Sequence, residues 1–207
     1  MIVVIDYNMG NTGSIVNMIK KAGGEVTLSS DLKEIEKAEK LILPGVGAFD
    51  AGMQNLARLG FIDIIRNKAN EKKTPVLGIC LGMQLLTEKS EEGVLPGLGL
   101  VEASTVRFKF DINSNLRIPH MGWNSVVVKK ESPLFYDMYP DPMFYFVHSY
   151  HVVCNNIQDV LSTTNYGYDF VSSIQKGNIF GTQFHPEKSH KYGLKLMRNF
   201  VELVHQR

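Results

Sequence analysis

The first half of the chain alternates short apolar runs with segments of helical period, and no other feature of the sequence limits the fold as strongly. The first run, Ile2–Asp6, is apolar until its last residue, as a buried parallel strand is. After it, apolar residues recur at helical spacing between Ile15 and Ala22, and Gly23-Gly24 closes this helix. The same pattern predicts further strands at Glu25–Ser29, Leu41–Leu43 and Pro75–Ile79, and helices at Asp31–Ala38 (with Asp31 near its N-cap), Phe49–Asn70 (with a break near Gly60) and Leu81–Lys89. Strands and helices in this order predict a parallel sheet covered on both faces.

The second half changes to short strand-like runs separated by turn residues. They predict antiparallel additions to the same sheet at Gly99–Phe108, Ser125–Lys129, Phe144–His148, Val160–Thr164, Val171–Gln175 and Ile179–Phe184. A last helix is predicted over Tyr192–His205. The chain has 207 residues and no linker, repeat or low-complexity segment, so we expect residues 1–207 to form a single domain.

Composition and charge argue against several classes of function. A net charge of +1 provides no general field to attract nucleic acid or an anionic membrane, so we expect neither as a partner. The N-terminus has no basic leader, and no apolar run approaches the roughly 18 to 20 residues of a spanning helix. Cys80 and Cys154 are too few for a disulfide framework, which indicates a reducing, cytoplasmic location.

The segment Gly78-Ile-Cys80-Leu-Gly82 places a cysteine between two glycines where a predicted strand turns into a helix. A nucleophile on so sharp a turn needs glycine two residues to either side, because a Cβ there would meet the neighbouring strand or helix. The start of the helix favours the thiolate of Cys80, and the Leu81 amide is expected to help bind an oxyanion. The alternative is a small buried cysteine in a glycine-rich turn.

A cysteine nucleophile needs a histidine, which the fold must bring to it. His185 ends a predicted strand and is followed by proline and Glu187. Strand ends at one edge of a sheet share a face, so His185 can meet Cys80 there while Glu187 bonds the second imidazole nitrogen. Cys80, His185 and Glu187 are therefore a candidate catalytic triad. His148 and His151 suggest a metal site, but we expect no metal and no cofactor, because residues three apart on a strand face opposite sides.

A second glycine loop, Pro44-Gly45-Val46-Gly47, follows the third predicted strand. Its glycines allow backbone N–H groups to approach an anion or an oxyanion, since glycine readily takes positive φ. The alternative is a plain tight turn.

Three motifs together resemble the class I (triad) glutamine amidotransferases: Gly78-Ile-Cys80-Leu-Gly82-Met-Gln84, Pro44-Gly-Val-Gly47 and His185-Pro-Glu187-Lys. Other segments are similar to one branch of that family, the glutaminase subunits of imidazole glycerol phosphate synthase from histidine biosynthesis: Asp6-Tyr7 with Gly10-Asn11 and Ser14, Pro119-His-Met-Gly-Trp-Asn124, and Tyr145-Phe-Val-His-Ser-Tyr150. The resemblance covers essentially the whole chain. It implies a flavodoxin-like three-layer α/β fold, with a mostly parallel sheet and antiparallel additions.

The resemblance implies a role for each matching residue. Cys80 would attack the side-chain amide of L-glutamine, His185 would protonate the departing ammonia, and Glu187 would hold His185. The oxyanion hole and the substrate site would be formed by Gly45, Val46, Gly47, the Leu81 amide and Gln84. Tyr145, Lys188 and Trp123 match positions that face the partner, a TIM-barrel cyclase or synthase subunit that would receive the ammonia in a heterodimer.

Two features depart from that branch. Asn8 stands where the branch has glycine, although asparagine tolerates positive φ. The segments Phe49–Met53 and Gly181–His190 also resemble a paralogous branch that supplies ammonia for modified bacterial surface sugars. The chemistry would be the same in both branches, and the pathway would differ.

Three other classes of protein compete with these interpretations. A stand-alone cysteine hydrolase would not need the Pro44–Gly47 and Pro119–Asn124 segments together. An amidotransferase subunit for pyridoxal phosphate or anthranilate synthesis would lack the Asp6–Ser14 opening. A non-catalytic scaffold would not need an intact triad. No part of the sequence remains to bind and aminate an acceptor, which favours a subunit that passes its ammonia on.

Overall fold

The computed structural model describes residues 1–111 and 114–205. Its helices are α1 (Thr12–Lys21), α2 (Leu32–Lys37), α3 (Phe49–Arg58), α4 (Phe61–Asn70), α5 (Leu81–Leu85) and α6 (His190–Glu202). Its strands are β1 (Ile2–Ile5), β2 (Val26–Ser29), β3 (Lys40–Leu43), β4 (Val76–Ile79), β5 (Lys89–Ser90), β6 (Ala103–Arg107), β7 (His120–Ser125), β8 (Val127–Val128), β9 (Met143–His148), β10 (Tyr150–Cys154), β11 (Val160–Tyr166), β12 (Tyr168–Lys176) and β13 (Ile179–Thr182). Over the described residues, no helix is long and apolar enough to cross a membrane.

A large mixed sheet forms the middle layer. Its parallel part runs in the order β2-β1-β3-β4-β13, and β13 lies beside the elbow strand β4, with Thr182 opposite Ile79. The sheet continues through antiparallel β12, β10 and β6, while β5 lies parallel to β6 and β11 and β8 branch from β12. The mixed α/β fold with a mostly parallel centre is therefore confirmed. The prediction that the Ile179–Phe184 strand is only an antiparallel addition is wrong, because β13 is parallel to β4 and antiparallel to β12.

Helices cover both faces of this sheet. Alternate residues of β1 belong to different cores: Val3 and Ile5 pack on the side of α2 to α5, and Ile2 and Val4 pack on the side of α1 and α6. Because every residue of β1 is buried, the strand reads as a continuous apolar run. The result is the three-layer arrangement that the sequence predicts.

Three local predictions about turns and caps are confirmed. Gly60, with φ of 72°, separates α3 from α4. Asn8 takes the left-handed conformation, with φ of 62°. The Asp31 carboxylate accepts a hydrogen bond from the Lys33 N–H at 2.7 Å and so caps α2.

The helix predicted over Leu81–Lys89 is wrong in its length, since α5 ends at Leu85 and Lys89 already lies in β5. The carbonyl groups near the end of α5 are bonded by a distant segment. The Leu98 N–H donates to the Leu85 oxygen at 2.8 Å, and the Leu100 N–H donates to the Leu86 oxygen at 2.9 Å. These long-range hydrogen bonds pair the carbonyl groups that a helix leaves unpaired at its C-terminus, so α5 can end there.

The placement of Phe144–His148 in the main sheet is also wrong. Its strand, β9, pairs antiparallel with β7 in a separate two-stranded sheet. The sequence does not predict β7, whose Gly122 and Asn124 are poor strand formers, or β10, which only Ser149 separates from β9. Of the predicted strand Ser125–Lys129, Ser125 ends β7 and Val127–Val128 form the short β8.

Candidate active site

Cys80 lies on a strained turn between β4 and α5. Its φ of 54° and ψ of −109° put it in a region that side chains rarely adopt. A Cβ at Gly78 would lie 2.6 Å from the Gly82 oxygen, and a Cβ at Gly82 would lie 1.9 Å from the Leu43 oxygen. Both positions therefore require glycine, and the predicted strand–turn–helix geometry of the elbow is confirmed.

His185 lies just beyond β13, so the parallel pairing of β13 with β4 brings it to the same edge of the sheet as Cys80. Its Nδ1 is 2.7 Å from Glu187 Oε1, and both side chains are 2% exposed. Among the described residues, its Nε2 has no hydrogen-bond partner. Burial opposes the charged imidazole, but the neighbouring Cys80 sulfur and the Glu187 carboxylate outweigh it and raise the pKa of His185 to about 10. The arrangement favours a protonated histidine beside the sulfur.

The predicted oxyanion segment packs directly against the elbow. The Gly45 carbonyl accepts a hydrogen bond from the Leu81 N–H at 3.3 Å, so in this conformation the Leu81 amide is not free to bind an oxyanion. The Tyr7 hydroxyl donates to the Pro44 carbonyl and ties the segment to the end of β1. Gly47, with φ of 114°, takes a conformation that favours glycine.

A cavity of about 310 Å³ opens at Cys80, a size typical of small-molecule sites. Its lining includes the predicted substrate residues Val46, Gly47, Leu81 and Gln84 together with Glu92, Pro119 and the stretch Val147, His148, Ser149 and Tyr150. Gln84 Nε2 donates to the Tyr150 carbonyl at 3.2 Å, which joins two of the lining residues. The predicted glutamine-binding residues thus line one cavity, with the exception of Gly45, which packs against Gly82 and Leu81 of the elbow.

Glu92 is a cavity residue that is not among the site residues predicted from the sequence. Its carboxylate accepts a hydrogen bond from the Phe49 N–H at the start of α3, at 3.0 Å. Burial raises the pKa of the Glu92 carboxyl, although this hydrogen bond opposes the effect. A carboxylate in this wall can pair with the ammonium group of an amino acid. Its local sequence, Glu91-Glu92-Gly93, resembles any polar loop, so no signal in the sequence could identify it.

The three residues predicted to face a partner come together on one surface. Trp123 on β7 lies opposite Tyr145 on β9, with ring centroids 6.3 Å apart, and Lys188 Nζ lies 5.7 Å from the Tyr145 ring centre. His190 stacks on the Trp123 indole at 5.4 Å, and Trp123 is 42% exposed. The Tyr145 carbonyl accepts a hydrogen bond from the His185 N–H at 2.9 Å, so this aromatic surface adjoins the candidate triad.

The prediction that His148 and His151 lie on opposite faces of one strand is wrong. The two residues do not share a strand, because β9 ends at His148 and β10 begins at Tyr150. Both imidazoles contact the Phe108 ring, with centroid distances of 5.2 and 4.7 Å. Over residues 1–111 and 114–205, no group of three or more histidine, cysteine or acidic residues has the geometry to hold a metal ion.

The chain is similar to known proteins in sequence and in fold. The sequence profile of the family described as "Glutamine amidotransferase class-I" matches residues 3–203. Imidazole glycerol phosphate synthase subunit HisH 2 of Methanococcus maripaludis is 54% identical over 202 residues, which cover 98% of this chain and 99% of that protein. The subunit of the same name from Pseudomonas aeruginosa is 49% identical over 204 residues, covering 99% and 100% of the two chains. The solved structure of PurLQS from Thermotoga maritima shares the fold, with a TM-score of 0.73 at 19% identity over 97% of this chain and 96% of that one.

Proposed function

The chain belongs to the class-I glutamine amidotransferase family, and from that premise we propose that it hydrolyses L-glutamine as the glutaminase subunit of imidazole glycerol phosphate synthase in histidine biosynthesis. The observation that carries the proposal is the elbow cysteine, which opens onto an amino-acid-sized cavity with the bonded pair His185 and Glu187 beside it. Identities of 54% and 49% to two HisH subunits, over nearly the full length of the chain, support the role in histidine biosynthesis.

The chemistry follows from the residues that meet at the cavity. The Cys80 thiolate would attack the side-chain carbonyl carbon of glutamine and form a tetrahedral oxyanion. His185, held by Glu187, would donate its proton to the nitrogen as the C–N bond breaks, which releases ammonia and leaves a glutamyl thioester. Water would then hydrolyse the thioester to glutamate and restore the thiol. Glu92, which lines the cavity, would pair with the α-ammonium group of the substrate.

The ammonia needs an acceptor on another protein. We propose a heterodimer with a cyclase subunit of TIM-barrel fold, docked on the surface of Trp123, Tyr145 and Lys188. That surface adjoins the triad through the hydrogen bond between the His185 N–H and the Tyr145 carbonyl, and we propose that the ammonia leaves on this side. We take residues 1–207 as one amidotransferase domain working in the cytoplasm.

A second candidate keeps the glutaminase chemistry and changes the partner. Both relatives are named HisH 2, and Methanococcus maripaludis also has a subunit named HisH 1, which is 46% identical to this chain. This favours testing the paralogous role, the supply of ammonia to an enzyme that modifies surface sugars.

The test is steady-state release of glutamate by the isolated chain, by the chain with a histidine-pathway cyclase and its ligand, and by the chain with a sugar-modifying synthase. Stimulation by the cyclase, with ammonia transferred to its product, supports the first candidate. Stimulation by the sugar enzyme alone supports the second. An isolated chain with full activity that no partner changes would contradict both and indicate an independent hydrolase.

A further inference from the structure

The side chain of Gln183 lies between two groups of the active site and has no role in the mechanism above. It is fully buried in the segment between β13 and His185. Its Nε2 lies 3.7 Å from Cys80 Sγ, and its Oε1 lies 3.1 Å from Gln84 Nε2. One amide therefore connects the nucleophile to a residue of the cavity wall.

The orientation of this amide follows from a backbone carbonyl. The two ends of a glutamine amide have the same shape, so their partners must distinguish them. The Tyr150 carbonyl can only accept, so the end of Gln84 that lies 3.2 Å from it must be the NH2 group. The second N–H of Gln84 then points to Gln183, whose oxygen must receive it. The NH2 group of Gln183 is left facing the sulfur.

The Tyr150 carbonyl is itself held from the other side. His148 Nδ1 lies 2.7 Å from it and must donate, so His148 Nε2 accepts from His120 Nδ1 at 3.0 Å. His120 Nε2 in turn accepts from Asn124 Nδ2 at 3.2 Å. Burial lowers the pKa of His120 to about 4 and lowers that of His148 well below its usual value, which keeps both rings neutral as these bonds require. Every donor in this series of hydrogen bonds meets an acceptor.

A buried sulfur anion needs hydrogen-bond donors around it. Cys80 is 6% exposed, so water can supply few of them. An N–H aimed at the sulfur stabilises its negative charge, whereas the amide oxygen in the same place would repel it. The Tyr150 carbonyl prevents that reversal, because a turned Gln183 would place its N–H groups against those of Gln84.

We propose that Gln183 is a positioning residue for the nucleophile: its Nε2–H donates to the Cys80 sulfur, and Gln84 and the Tyr150 carbonyl hold it in that orientation. The inference rests on the proposed function, in which Cys80 is the nucleophile. It adds a hydrogen-bond donor to the sulfur that is independent of His185 and of the oxyanion segment.

The experiment measures the rate at which iodoacetamide alkylates Cys80 at neutral pH in the full chain. All variants carry Cys154→Ala, so that Cys80 is the one thiol left of the two in the sequence. Gln183→Met keeps the length of the side chain without an N–H, and we expect it to slow alkylation about tenfold. Gln183→Glu keeps the shape but presents oxygen to the sulfur, and it should slow alkylation further. The matched control is Gln175→Met in β12, which should leave the rate unchanged.

Thermal unfolding of each variant shows whether it is folded. If Gln183→Met does not fold, the alkylation rate of Gln183→Glu tests the proposal. Alkylation at the parent rate in a folded Gln183 variant, or equal slowing by Gln175→Met, overturns the proposal. Alkylation needs no glutamine, so this outcome is separate from the proposed function, which fails instead if Cys80→Ala retains glutaminase activity.

Discussion

The orientation of the peptide between Gly45 and Val46 should control the rate of glutamine hydrolysis. In the structure the Gly45 carbonyl accepts from the Leu81 N–H at 3.3 Å, which occupies the amide next to the nucleophile. A half turn of this peptide would release the Leu81 N–H and bring the Val46 N–H to the same side. Two donors would then face the oxyanion that forms when Cys80 attacks, and a docked partner could favour that orientation.

Val46→Pro tests this reasoning because proline has no backbone N–H. After the half turn, the oxyanion would then receive a hydrogen bond from the Leu81 N–H alone, without the second donor at position 46. Removal of one oxyanion donor typically costs about 10² to 10³ in rate, so we expect the partner-stimulated rate to fall by about that factor. Val46→Ala is the matched control: it keeps the N–H, and since the valine side chain is 44% exposed its loss should cost little.

The assay is steady-state glutamate release at saturating glutamine, for the isolated chain and for its complex with the cyclase and its ligand. Partner affinity is measured separately, because a change in docking would also lower stimulation. If Val46→Pro binds the partner normally and is stimulated as strongly as Val46→Ala, the Val46 N–H is not an oxyanion donor and the half turn is refuted.

Three further predictions follow from the site. Cys80→Ala should abolish glutamine hydrolysis with folding intact. Cys154→Ala should lower the hydrolysis rate little, since burial raises the pKa of Cys154 to about 12. Equal losses of activity would contradict the assignment of the nucleophile. His185→Ala should lower kcat on the order of tenfold more than Glu187→Gln, because His185 moves the proton and Glu187 orients it; the reverse order would exchange their roles. Burial lowers the pKa of His120 from 6.5 to about 4, so the unfolded chain binds more protons between these values and stability should fall as pH drops through that range. Melting temperatures across the range test this, and His120→Asn should flatten the slope.

Much of the fold was predictable because its signals are local. The continuous apolar runs of β1, β3 and β4 predict buried parallel strands, and the left-handed Gly60 marks the break between α3 and α4. Contiguous residues set these features through side-chain periodicity and backbone sterics.

The pairing of strands depends on residues that are far apart in the sequence. The separate sheet of β7 and β9 and the early end of α5 depend on bonds to segments far along the chain, and both were predicted wrongly.

Some features of the candidate site could likewise be predicted from the sequence, and others could not. The elbow could be predicted from its motif alone, and a Cβ at Gly78 would meet Gly82 within the same strand–turn–helix unit. The need for glycine at Gly82 comes from the Leu43 carbonyl on β3, which the fold brings there. The sequence also indicated His185 and Glu187, which lie two residues apart and bond each other. Only the tertiary structure could show that the Leu81 amide is occupied, that Glu92 lines the cavity, or that Gln183 faces the sulfur. Each of these features depends on a hydrogen bond between a backbone carbonyl or N–H group and a residue far away in the sequence. The packing of distant segments determines these hydrogen bonds, so they cannot be predicted from the spacing of residue types along the chain.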